Sequence, residues 1–325
     1  MLSNNKFTTT IRRFGVLFAL IIVFGVFSFM EPSFYSLRNV LAIIRQASIT
    51  GILAIGLTTV VIAGEFDMSF AALASFSGVL SVILMGKIMM GAIPAWLIGI
   101  AVALGIGVVN GTIIVFLGVP SMIETIGMMT LLAGFTKWLT GGSTYYSGNF
   151  PEIFPLLGRS SLFGVIPSAV IIFGIVIIVF IILLEHTKLG RFFHAVGGNP
   201  LASEHVGIKV KKIKFISLLI SAALAGLAGI MIGSLLGSGT PGMGEGYLIP
   251  SISSMFIGAV FLRDGVPNIW GTVIGALLLS ILSNGFVMIN LPFYLKEIVM
   301  GAVLIGAVSM VAAFKKGEIP GVKLM

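Results

Sequence analysis

Long apolar runs broken by short polar intervals make up nearly the whole chain. Ten of the runs come near the ~20 residues needed to cross a bilayer: 14–30, 39–63, 70–86, 93–117, 121–140, 164–184, 214–236, 249–262, 270–289 and 294–313. The eighth is short enough to be re-entrant or partly interfacial. Such runs predict helices, because a lipid-facing segment must satisfy its own backbone N–H and C=O groups. The longest polar interval, Glu185 to Lys214, separates the sixth run from the seventh. It carries Lys188, Arg191, Lys209, Lys211, Lys212 and Lys214 against only Glu185 and Glu204. That positive charge puts it on the cytoplasmic side.

Charge also tests the count. Lys6, Arg12 and Arg13 place the N-terminus inside, six spans lead to the basic interval, and four more lead to Lys315, Lys316 and Lys323. Parity and charge agree at all three places. The first run ends in Glu31-Pro32 with no small-residue cleavage site, so it reads as an uncleaved span. The predicted fold class is an all-α polytopic membrane protein of about ten transmembrane helices, with N- and C-termini cytoplasmic. It forms one domain over 1–325, with a cytoplasmic loop at 185–214 that reads as a docking surface on which another protein pushes.

Composition narrows the function. The chain is 58% hydrophobic and 9% charged, where a soluble domain carries roughly 25% charged residues. The net charge of +8 sits at the two ends and in the central loop, which points to anionic membrane lipid and not to nucleic acid. The absence of cysteine excludes disulfides, thiol catalysis and Cys-ligated metals. Ten spans of ~20 residues leave only loops and tails, too little for a soluble catalytic domain. A phosphate-binding G-x-x-x-x-G-K-[ST] loop is missing as well, since Gly86-Lys87 is followed by Ile88. If the chain does work against a gradient, the energy comes from a partner or an ion.

The 42 glycines suit close helix packing. Gly107-x-x-x-Gly111, Gly229-x-x-x-Gly233 and Gly271-x-x-x-Gly275 each place two glycines on one face, favouring contacts within the chain over a dimer seam. An internal echo, Val115-Phe116-Leu117-Gly118-Val119-Pro120 and Val260-Phe261-Leu262 with Gly265-Val266-Pro267, precedes the fifth and ninth spans, as a parallel duplication would explain.

Few polar residues interrupt the spans. Asp67, with Glu65 before it and Ser69 after it, lies between the second and third runs. A charge at membrane depth costs roughly 2.5–3.5 kcal/mol, so this segment is either a turn in which Asp67 or Ser69 caps the third helix or part of a gate. Glu124, four residues into the fifth run, is favoured by the helix dipole or lines a permeation path. Asn110 and Asn284, each followed by glycine, suit interhelical hydrogen bonds or solute contact. Lys137 and Trp138 read as interfacial anchors. His186, His194 and His205 lack companions at ligand spacing, so no metal is expected. The outer segments Gly141–Ser161 and Gly237–Tyr247 are too short to enclose a solute and read as the landing site of a separate capture protein.

In the central interval, His186-Thr187-Lys188-Leu189-Gly190-Arg191, Ala195-Val196-Gly197-Gly198-Asn199-Pro200-x-Ala202 and Gly207-Ile208-x-Val210 resemble the membrane subunit of ABC importers of the ribose/galactose type. The likeness runs through Glu31-Pro32-x-Phe34, Ile123-x-Thr125, Ala225-Gly226-Leu227-Ala228-Gly229, Gly271-Thr272-x-x-Gly275-Ala276 and Asn284-Gly285, nearly the whole chain. It implies a homodimeric permease carrying a small-molecule sugar. The implied partners are a tandem ATP-binding cassette subunit and a periplasmic or lipid-anchored sugar-binding protein. No cofactor is implied in this chain, because ATP binds the partner subunit.

The resemblance places an ATPase-coupling helix at Gly198–Gly207, with Gly197, Gly198, Asn199, Pro200, Ala202, Glu204, Gly207 and Ile208 as coupling residues. Asn199-Pro200 suits the start of a short helix and Gly207 its end. Asp67, Ser69, Asn110, Glu124, Thr125 and Asn284 are the candidates for a substrate path or gate.

Two departures stand out. The family's Gly-Gly-Ile-Asp-Leu-Ser is Gly64-Glu65-Phe66-Asp67-Met68-Ser69 here, and the pattern around the eighth span is replaced by Gly246-Tyr247-Leu248-Ile249-Pro250-Ser251-Ile252 and Ile257–Gly265. The expected solute is therefore a monosaccharide, a ribose-like pentose or a hexose, without ribose being singled out. Alternatives are the same architecture carrying a nucleoside or a furanone-type signalling sugar, and an ion-coupled secondary transporter using Glu124. A membrane enzyme would need clustered His, Asp or Ser, which the sequence lacks.

Overall fold

The computed structural model describes the backbone of residues 6–260 and 265–316 and the side chains of 15–260 and 265–312. Each apolar run holds a helix, although the sixth begins in a short antiparallel strand pair, Ser161–Leu162 with Ile166–Pro167. In chain order the helices are α1 (Lys6–Met30), α2 (Leu37–Ile62), α3 (Phe70–Gly86), α4 (Ala92–Val115), α5 (Ser121–Thr140) and α6 (Ser168–Ile181). The polar interval folds into α7 (Lys188–Gly198) and α8 (Pro200–His205). Then come α9 (Val210–Leu236), α10 (Leu248–Val260), α11 (Ile269–Met288) and α12 (Phe293–Lys316).

Among the described residues, six helices are long and apolar enough to cross a membrane: α2, α4, α6 with its extension to His186, α9, α11 and α12. Shorter apolar helices cover Gly15–Met30 and Phe70–Gly86. The described part of α10, thirteen residues, makes about 20 Å of helix against about 30 Å of hydrocarbon. Six terminal basic side chains used for the topology, Lys6, Arg12, Arg13, Lys315, Lys316 and Lys323, lie outside the described residues. So do Phe261 and Leu262 of the echo and the neighbouring Arg263-Asp264. The echo survives in conformation at its glycines, since Gly118 before α5 and Gly265 before α11 both have positive φ, 75° and 94°.

Two compact units form. One combines the residues up to Ala54 with those from Ile249 onward, and the other is Ile55–Leu248. In the first, a 3₁₀ turn at Pro32–Tyr35 is capped by Glu31, whose Oε1 accepts from Ser33 N (3.2 Å) and Ser33 Oγ (2.7 Å). Those bonds hold the Glu31 carboxyl below the usual carboxylate range. The turn buries Phe34 completely, against the rings of Phe24 and Phe27. α10 and α11 meet with almost no side chain between them. A Cβ on Gly258 would fall 2.4 Å from Thr272 N, and one on Gly275 would fall 2.5 Å from Ser254 O.

The second unit is built on α3, α4 and α9 by the same device. A Cβ on Gly229 of α9 would fall 2.0 Å from Ala74 O of α3, and one on Gly107 of α4 would fall 2.6 Å from Ala222 Cβ. All six glycines of the three G-x-x-x-G pairs face neighbours within the chain, as the packing argument expects. Several buried hydroxyls bond back to the preceding turn, as with Thr59 to Ile55 O and Ser75 to Ala71 O.

The two segments predicted as an outer landing site are folded onto this core. Tyr145 and Gly239 exchange backbone hydrogen bonds of 2.9 Å in both directions. Gly158 N donates to Ser234 Oγ on α9 (3.0 Å). Gly244 N donates to Ser75 Oγ on α3 (2.8 Å) in a buried contact.

Candidate coupling and gate site

The coupling sequence forms a capped, exposed peg. α7 anchors it through Phe193 and Val196, both 0% exposed, and starts at Thr187, whose Oγ1 accepts from Gly190 N (3.2 Å). The chain then breaks at Asn199, in extended conformation with φ −155°. Asn199 Oδ1 accepts from Ala202 N (3.0 Å), Pro200 occupies the first turn, and Ser203 bonds back to Asn199 O through both N (3.0 Å) and Oγ (2.9 Å). Gly207 closes the helix in the left-handed region at φ 84° that glycine adopts without strain. Gly207 N and Ile208 N donate to Glu204 O and Ser203 O at 2.9 and 3.0 Å. This six-residue α8 turns Pro200, Ala202 and Glu204 outward, along with Leu201 at 72% and Val206 at 76% exposure. A protruding rigid element with two bare aliphatic side chains suits insertion into a partner.

Gly197 links the peg to the rest of the unit. A Cβ on Gly197 would fall 1.9 Å from Ile62 O and 3.2 Å from Gly64 N, whereas one on Gly198 would meet nothing within 4 Å. Ile62 ends α2, and Gly64 opens the loop 63–69 that holds Asp67. The end of α7 thus bears directly on the backbone of the candidate gate.

Helices on three sides hold that loop. Phe66 N and Met68 N donate to Ser121 Oγ (3.2 Å) and Thr125 Oγ1 (3.0 Å) in the first turn of α5. Asp67 is 2% exposed. Its Oδ1 accepts from Ser69 N (2.8 Å) and Ser69 Oγ (2.7 Å), and its Oδ2 accepts from Ser221 Oγ (2.8 Å), twelve residues into α9. The amide of Asn110, on α4, stands between Ser69 and Glu124. With its nitrogen toward Glu124 it donates to Glu124 Oε1 and Ile106 O, 3.2 Å each, while its oxygen lies 3.1 Å from Ser69 Oγ. Glu65 pairs with Lys214 of α9, Oε1 to Nζ 2.7 Å.

Asp67, Ser69, Asn110, Glu124 and Thr125 therefore meet in one buried polar cluster. Simple capping does not describe it: Ser69 is the N-cap of α3 but makes no side-chain cap bond, and Asp67 spends its oxygens on Ser69 and Ser221. Glu124 keeps its first-turn place on α5, with Oε2 buried and no hydrogen-bond partner among the described residues. Asn284 belongs to the other unit, on α11, where its Oδ1 is likewise buried without a partner among the described residues. Lys137 and Trp138 are exposed at the end of α5. Among the described residues, no group of three His, Cys, Asp or Glu could hold a metal.

Sequence reasoning missed Ser121, Ser221, Lys214 and the Gly64–Gly197 contact. Ser217 and Ser221, four apart inside an apolar run, were the available signal, because hydroxyls at that spacing share a helix face. The others depend on a fold that brings distant residues together.

The described residues thus form an apolar helical body in which a polar cluster tethers the loop 63–69 and the end of α7 packs against it. Residues 39–308 match the family described as branched-chain amino acid transport system / permease component, and the chain belongs to that permease family of ABC importer membrane subunits. The ribose import permease protein of Escherichia coli (strain K12) is 35% identical over 294 residues, covering 90% of this chain and 91% of the relative. The D-allose transport system permease protein of the same strain is 28% identical over 303 residues, covering 92% and 91%. A solved chain of an inward-facing ABC transporter of metal-chelate type shares the fold, with TM-score 0.53 and 15% identity over 92% of this chain and 98% of that one. The relatives and the apolar helices together make this a multi-pass protein of the bacterial cytoplasmic membrane.

Proposed function

We propose that this chain is the permease subunit of an ATP-driven importer and moves a monosaccharide, a pentose or a hexose, by alternating access. A separate tandem ATP-binding cassette subunit supplies the energy, a capture protein outside delivers the sugar, and two copies of the chain surround the path. The chain itself holds no ATPase site in this reading. Its ten helical runs all cross or enter the bilayer, and both termini are cytoplasmic. Relatives bearing ribose and allose import names support the solute class.

The observation that carries the mechanism is the contact of Gly197 with Ile62 and Gly64. In this reading α8, with Gly198, Asn199, Pro200, Ala202, Glu204, Gly207 and Ile208, is the part the ATPase grips, and Gly197 is where its movement reaches the loop 63–69. Each nucleotide state then favours a different arrangement of Asp67, Ser69, Asn110, Glu124 and Thr125. Asn284 meets the solute from α11.

The experiment is a mild-detergent pull-down from the native membrane, followed by reconstitution of the recovered subunits in liposomes. Co-purification of an ATP-binding subunit and ATP-dependent uptake of a sugar are expected. A chain recovered alone that takes up solute without ATP, on an ion gradient, would overturn the reading.

A further inference from the structure

The loop 63–69 is linked to its neighbours in two mechanically different ways. The contact between Gly197 and Gly64 is van der Waals only, so α7 can push the loop but cannot draw it back. The Glu65–Lys214 ion pair is attractive, and it joins the same end of the loop to the fifth residue of α9. Both partners are largely shielded, at 22% side-chain exposure for Lys214 and 13% for Glu65. Salt and water screen such a pair less than one on the open surface.

Farther along the loop, Phe66, Met68 and Asp67 are held by hydroxyls of Ser121, Thr125 and Ser221.

We propose that Glu65 and Lys214 form a return tie. It makes the gate loop follow the foot of α9 when the peg withdraws, so that each ATP cycle resets the gate. Glu65 and Lys214 are positioning residues in this account and act on transport through Asp67 and its partners. The inference rests on the importer reading, and the two fail separately: ATP dependence of the unsubstituted chain tests the importer, and the ratio below tests the tie.

The test measures sugar moved per ATP hydrolysed by the complete complex in liposomes. Glu65→Gln and Lys214→Gln are each expected to lower that ratio about tenfold while the complex stays assembled and keeps hydrolysing ATP. Exchanging the charges, Glu65→Lys with Lys214→Glu, is expected to restore most of it. An unchanged ratio in the single variants, or an exchange as poor as they are in an assembled complex, overturns the tie.

A second arm does not depend on how the charges fold. The chain has no native cysteine, so Glu65→Cys with Lys214→Cys can be joined by a flexible bis-maleimide. Joining is expected to raise the ratio above that of the unjoined pair, and no rise overturns the proposal.

Discussion

Gly197 and Gly64 meet backbone to backbone: Gly197 Cα lies 3.3 Å from the place a Cβ on Gly64 would take. No side chain stands between the end of α7 and the start of the loop 63–69. A contact of this kind transmits displacement without the slack of rotamers, and a single methyl group tests it.

Gly197→Ala forces its new methyl into Ile62 O, an overpacking that costs about 1–3 kcal/mol. Gly198→Ala meets open space. Thermal unfolding of the purified permease should show a lowered transition for the first and an unchanged one for the second. Uptake should fall in the first even at temperatures where the protein stays folded.

Asn199→Ala removes the cap of α8, a loss of about 1 kcal/mol. Since α8 is exposed, the deficit should be felt in docking and not in the membrane fold. The affinity for the ATP-binding subunit should weaken about fivefold, a factor that 1 kcal/mol implies. Equal affinity in titration calorimetry or fluorescence binding would refute the capping role.

Asp67→Asn keeps the shape of the carboxyl but turns one acceptor oxygen into a donor facing Ser69 or Ser221. Ser221→Ala removes a hydrogen bond to a charged group, worth about 1.5–3 kcal/mol. Both variants should assemble at near-normal levels and lose most uptake. A collapse of folded yield with little change in specific uptake would make the cluster structural.

Gly229→Ala drives a methyl group into Ala74 O of α3, whereas Gly174→Ala on α6 meets nothing within 4 Å. The first should lower the unfolding temperature. The second should hold or raise it, because alanine favours helix over glycine by about 1 kcal/mol. Matching shifts would show that α3 and α9 tolerate separation.

The helices were legible because lipid imposes a simple rule, and each apolar run became one helix. The peg was legible too: Asn199, Pro200 and Gly207 each do locally what their chemistry favours, a cap, a first turn and a left-handed stop. The buried polar cluster was only half legible. Asp67, Asn110 and Glu124 stood out as polar residues in apolar surroundings, yet nothing local says that Asp67 bonds to Ser221 or that Glu65 finds Lys214. Those partners lie about 150 residues away, at separations of 154 and 149, and only the packing of α9 against α3 and α4 brings them near. The hold on the outer segments was not legible for the same reason, since Gly244 looks like free loop until Ser75 is placed beside it.

The contacts of α10 bear on how the chain is made. The close neighbours of this helix include Thr50, already synthesised, and Gly271, Thr272 and Gly275, which leave the ribosome afterwards. The packing of α10 on α11 can therefore close only after α11 has been made, and the backbone contact of Gly258 with Gly271 is among the last to form in this unit.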